Sequence, residues 1–166
     1  MRATAICLLL VLVGTAAGAD VRQREAVQHA KQFWAAVARA DTKAMQVCYA
    51  EKVTLKAGSE LLKQQWEIPK AGDRDKDLLV ERVDLIAGYR RMIERLGKDR
   101  WTALFSKIDL ERVEFRFAKT ADRKSGAEKG DLTMTVFTGP GDDALFFFFR
   151  HGEKEGWRVV AEATDY

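Results

Sequence analysis

The sequence predicts an α+β domain, with helices packed on one face of a curved antiparallel sheet. Three observations carry that expectation. In the first half of the chain apolar residues recur at intervals of three and four, as on a helix face. In the second half they alternate with period two, and Gly-rich turns separate the runs. Within that half, Leu145 to Phe149 is apolar at every position, so both faces of that strand must be covered.

Taken in order, Met1 and Arg2 form a basic start, Ala3 to Val13 an apolar run, and Ala17-Gly18-Ala19 a small-residue step. This is the layout of a secretory leader, cleaved between Ala19 and Asp20. The apolar run of 11 residues is short for a membrane span, which needs roughly twenty. The expected product is an exported protein, periplasmic or secreted, formed by residues 20–166 as one domain. Asp20 to Arg39 then reads as an amphipathic helix with Val27, Ala30, Trp34 and Val37 on its inner face. Asp41 is placed to cap a short second helix that turns Ala44, Met45, Cys48 and Tyr49 inward.

Val53-Thr54-Leu55 is a brief strand; Ser59 to Arg82 is the least readable stretch, in which Leu61, Leu62 and Trp66 can pack on the core and Pro69, Gly72 and Asp73-Arg74-Asp75-Lys76-Asp77 read as an exposed excursion. Asp84 opens a third helix carrying Leu85, Tyr89, Met92 and Leu96, which Gly97 ends. Trp101, Leu104, Phe105 and Ile108 mark one more short helix. Four strands follow: Val113 to Phe117, Leu132 to Val136, Leu145 to Phe149 and Trp157 to Ala163.

The helices can cover one face of Phe146-Phe147-Phe148-Phe149. The other face needs a curled sheet edge, the hairpin loops or a second subunit. The expectation is a homodimer that buries one Phe row; the sequence leaves open which row faces inward.

Composition excludes several function classes. Removing the leader takes away Arg2 and no acid, so the net charge of +3 becomes +2, from 27 basic and 25 acidic side chains. That balance lacks the concentrated basic face of a nucleic-acid binder, and no membrane association is expected after cleavage. Cys7 leaves with the leader and Cys48 remains alone, so the domain must stand on packing and not on a disulfide. His29 and His151 have no Cys, Asp or Glu at metal-ligand spacing, so neither a metal nor a cofactor is expected. No Gly-rich phosphate loop, nucleophile elbow or zinc-protease motif occurs.

Three segments together resemble the NTF2-like superfamily, which includes ketosteroid isomerases and SnoaL-type cyclases. Phe33 to Asp41 resembles its first helix, Tyr49-Ala50-Glu51-Lys52-Val53-Thr54-Leu55 its following segment, and Gly156-Trp157-Arg158-Val159-Val160 its final strand. Residues 62–82 look inserted. The resemblance implies a conical half-barrel with a pocket between sheet and helices. It does not fix a function. An isomerase of this kind needs a phenolic donor on the first helix and a carboxylate on the first strand. The corresponding positions hold Phe33 and, approximately, Ala57, which can do neither.

The resemblance leaves an exported protein without catalysis, which binds an apolar small molecule or a protein partner. The alternative is an isomerase- or dehydratase-like acid–base enzyme with a carboxylate in the cone. Trp34, Tyr49, Trp66, Tyr89 and Phe115 are the candidates to line the cavity, although the same spacing suits an ordinary core. Glu162, or Asp165, is the candidate carboxylate. The competing reading puts Glu162 on a solvated outer face with Glu114, Arg116 and Arg158.

Overall fold

The computed structural model of the chain describes residues 4–56, 77–108, 113–122, 126–138 and 144–164. Helix α1 (Thr4–Ala38) leads into α2 (Thr42–Cys48), which runs straight into strand β1 (Tyr49–Leu55). Strand β2 (Leu78–Glu81), helix α3 (Arg82–Leu96) and helix α4 (Lys98–Phe105) come next. Strands β3 (Glu114–Phe117), β4 (Leu132–Phe137), β5 (Ala144–Gly152) and β6 (Gly156–Thr164) complete the chain. The strands form one sheet of six in the order β2-β1-β6-β5-β4-β3. The main core lies between the helices and one sheet face. Among the described residues no helix is long and apolar enough to cross a membrane.

Local chemistry accounts for the helix ends. The Asp41 carboxylate accepts a hydrogen bond from the Ala44 N–H at 3.0 Å and caps α2. Gly97, at φ 84°, separates α3 from α4; its N–H donates to the Ile93 carbonyl and its own carbonyl accepts from the Trp101 N–H, both at 2.9 Å. A side chain would be strained in that left-handed conformation. The Trp101 indole donates to the Val37 carbonyl at 2.7 Å and ties α4 to the end of α1.

Several expectations need correction. The sheet is mixed, because β1 pairs with β6 in parallel. Short connections favour antiparallel neighbours from β4 to β6, but β1 and β6 lie far apart in sequence, so no connection of that kind dictates their direction. Strand β2 falls just past the residues read as an excursion, where no strand was expected, and pairs antiparallel with β1. Tyr49 begins the strand and does not end the helix. Helix α3 starts at Arg82, which leaves Asp84 inside its first turn and not at its cap. Leu104 is exposed, because α4 buries Trp101 instead.

The two sheet faces are unlike. Phe147 and Phe149 point toward the helices with Leu132, Met134, Val136 and Val159. Phe148 lies on the opposite face with Ala161 and Ala163, flanked by Phe146 and Val160. Phe148 is nevertheless only 5% exposed in the single chain, so burying it requires no second subunit. The β3–β4 connection supplies cover: Gly126, Asp131 and Arg150 line the same small cavity, ≈ 80 Å³, as Phe148. The Arg150 guanidinium clamps that connection, with nitrogens 2.7 Å from Asp131, 2.8 Å from Glu128 and 3.2 Å from the Gly126 carbonyl.

Candidate functional site

The chemistry of the interior centres on Glu162. Along β6, Trp157 and Val159 face the helices, so strict alternation would send Ala161 inward and Glu162 outward. The register shifts between Phe148 and Phe149, which pair with Ala161 and Val159 and leave Val160 as the extra residue. This bulge reverses the alternation beyond it, so that Ala161 and Ala163 take the outer face. Glu162 turns inward and is 1% exposed.

Two phenols meet it there. Tyr49, the first residue of β1, donates a short hydrogen bond to Glu162 Oε1. Tyr89, on the inner face of α3, lies 3.2 Å from Oε1 and 3.3 Å from Oε2. The two hydroxyl oxygens are 3.2 Å apart. Aromatic rings surround the trio: Phe33 stands edge-on to Tyr49 at 5.3 Å, and Trp101 edge-on to Tyr89 at 6.3 Å. Trp34 packs against Phe147, at 6.2 Å, and Phe105, at 5.9 Å, and joins the same wall.

Burial pushes the Glu162 carboxyl from 4.5 up to about 7, and the hydrogen bonds from Tyr49 and then Tyr89 oppose the rise. Burial, followed by the Glu162 charge, raises both tyrosines well above their ordinary value, so both keep their protons. An ionised Glu162 accepts from both hydroxyls. A protonated Glu162 donates one hydrogen bond to a phenol oxygen and frees a phenolic hydrogen for another acceptor. Among the described residues no cation pairs with this carboxyl. The cluster is therefore able to take up or release one proton near neutral pH.

Of the sequence candidates, Tyr49, Tyr89 and Glu162 thus come together, while Trp34 lies one ring further out, against Phe147 and Phe105. Phe115 does not join. It is half-buried on β3 opposite Met134, three strand positions from β6, about 14 Å across the sheet. Trp66, Ala57 and Asp165 lie outside the described residues. Phe33 is fully buried and serves as an aromatic spacer between Tyr49 and Phe147. Glu114 and Arg116 pair with each other on the solvated face at 2.8 Å, as alternation implies. Among the described residues no group of three His, Cys, Asp or Glu side chains is placed to hold a metal ion. Cys48 is buried, and that burial pushes its thiol upward, away from nucleophilic character. Sequence reasoning missed Trp101, whose ring backs Tyr89. Its short helix was legible, but its indole bond to α1 carried no sequence signal.

Known proteins add little to this picture. No protein-family model matches the chain. No curated protein matches it either. Among solved structures, the crystal structure of a DUF4783 family protein from Bacteroides fragilis is similar at 13% identity and a TM-score of 0.36, covering 80% of this chain and 93% of that one.

Proposed function

We propose that this chain is an exported NTF2-like domain that binds an apolar small molecule in its interior without catalysis, with Tyr49, Tyr89 and Glu162 as the polar anchor. The arrangement of helices over one face of a bulged sheet supports the fold reading. The leader-like residues 1–19 support export, and the first buried residue described in α1 is Ala26, well beyond the cleavage step. The observation that carries the binding reading is the enclosed carboxyl. Burying Glu162 with neutral partners alone costs stability that an apolar residue of similar size would spare. Such a residue in an aromatic surround fits a ligand site better than a packing role.

Native mass spectrometry of the purified mature protein tests this. The reading expects a retained molecule of a few hundred daltons in the wild type, reduced in the Tyr89→Phe and Glu162→Gln variants. A ligand-free spectrum, together with no thermal stabilisation by any apolar carbonyl or hydroxyl compound in a screen, would count against it.

One observation favours acid–base catalysis as the second reading. A carboxyl titrating near 7 is matched to proton transfer at neutral pH. Turnover of any candidate substrate that disappears in Glu162→Gln while the ligand still binds would establish it.

A further inference from the structure

At the other end of β6 lies a groove of ≈ 730 Å³ between the start of the packed part of α1 and the β3–β4 connection. Trp157 on its wall is five residues from Glu162, roughly 16 Å along the strand, so this groove is separate from the interior cluster. Its wall carries Phe117, His151 and Trp157, and its rim Arg22, Lys119 and Lys129. The acids at the groove, Glu128 and Asp131, are already taken by Arg150 at 2.8 and 2.7 Å. Arg22, Lys119 and Lys129 form no ion pair among the described residues; because Arg150 balances only one of the two carboxylates, the groove keeps a net charge of +2, from four basic and two acidic side chains. Trp157 is 8% exposed, and its indole N–H is buried with no acceptor. His151 stands edge-on to the indole at 5.4 Å and extends the ring surface.

We infer that this groove binds a small organic anion, namely a carboxylate, sulfonate or phosphate joined to a flat apolar body. The body lies on Trp157, His151 and Phe117. The anionic end meets Arg22, Lys119 and Lys129. Gly18 also lines the groove and precedes the proposed cleavage step, whereas the aromatic and basic residues named here follow it and remain in the mature chain.

Isothermal titration with 2-naphthoate, against the neutral 2-naphthalenemethanol, tests the inference. Naphthoate is expected to bind at least about tenfold more tightly, and its affinity should fall with added salt. Lys119→Gln/Lys129→Gln alters only exposed side chains and should weaken naphthoate binding about fivefold without changing the neutral compound. Trp157→Phe removes part of the ring surface and should weaken both probes by a similar factor. Glu162→Gln should leave naphthoate binding unchanged. Equal affinity for the two probes, or an unchanged affinity in the double variant, overturns the inference. Loss of naphthoate binding in Glu162→Gln alone would move the anion to the interior cluster and also overturns it.

Discussion

Glu162→Gln should change how stability depends on pH. In the folded chain the carboxyl holds its proton up to about pH 7, whereas its ordinary value is 4.5. Between those values the folded state binds more protons than the unfolded state. The slope of unfolding free energy with pH is then negative, so this group's contribution falls as pH rises from 4.5 through 7 and levels off above. At about 1.4 kcal/mol per pH unit, the interval corresponds to roughly 3 kcal/mol, about three-quarters of it between pH 5 and 8. Urea unfolding followed by tryptophan fluorescence reads it, since Trp34 and Trp101 are buried. Glutamine fills the same volume and carries no titrating proton. The variant should therefore gain about 2–3 kcal/mol relative to the wild type between pH 5 and pH 8. His29, whose pKa is lowered by burial and then by the Arg158 charge, contributes with the opposite sign. It is common to both proteins and cancels in the difference. A difference that stays constant from pH 5 to pH 8 would refute the enclosed, proton-sharing carboxyl.

Tyr89→Phe removes a hydrogen bond that holds Glu162 down, so the carboxyl should titrate higher still, and the loss in stability should be larger at pH 8 than at pH 5, about 1–2 kcal/mol at the upper end. Arg150→Ala leaves Asp131 enclosed without its partner; since Arg150 is itself a third exposed, the expected loss in a chemical melt is about 2 kcal/mol, less than for a fully buried pair. N-terminal sequencing of protein recovered from the native host should begin at Asp20, and a chain still beginning at Met1 would contradict export. The purified protein should not convert unsaturated ketosteroids, because Phe33 offers no donor proton; turnover well above buffer, lost in Glu162→Gln, would contradict the non-catalytic reading.

The sequence made much of the helical half legible, because each helix carried its own signals. Asp41 announced a cap, Gly97 a stop, and the spacing of Ala30, Trp34 and Val37 a buried face. Strands β3 and β4 were equally plain from alternation, and β5 from its unbroken apolar run. What stayed hidden was non-local. The pairing of β1 with β6 is set by packing and not by a turn, and the four residues of β2 gain their order from β1. The two rows of the Phe run are chemically identical, so only Phe33 and Trp34 on one side and Ala161 and Ala163 on the other distinguish them. At the site, Tyr49 and Tyr89 were legible as inward-facing residues. Glu162 was not fixed, since alternation from Arg158 sends it to solvent and the bulge at Val160 brings it back. A run such as Val159-Val160-Ala161, with no turn residue in it, gives no local warning of a bulge.

Carbon NMR titration of the Glu162 carboxyl in the intact protein tests the central claim most directly. A midpoint near 7, with Tyr49 and Tyr89 protonated throughout, is the expected result. A midpoint near 4.5 would contradict it, because the carboxyl would then be in contact with water and could not serve as an enclosed anchor between the two tyrosines.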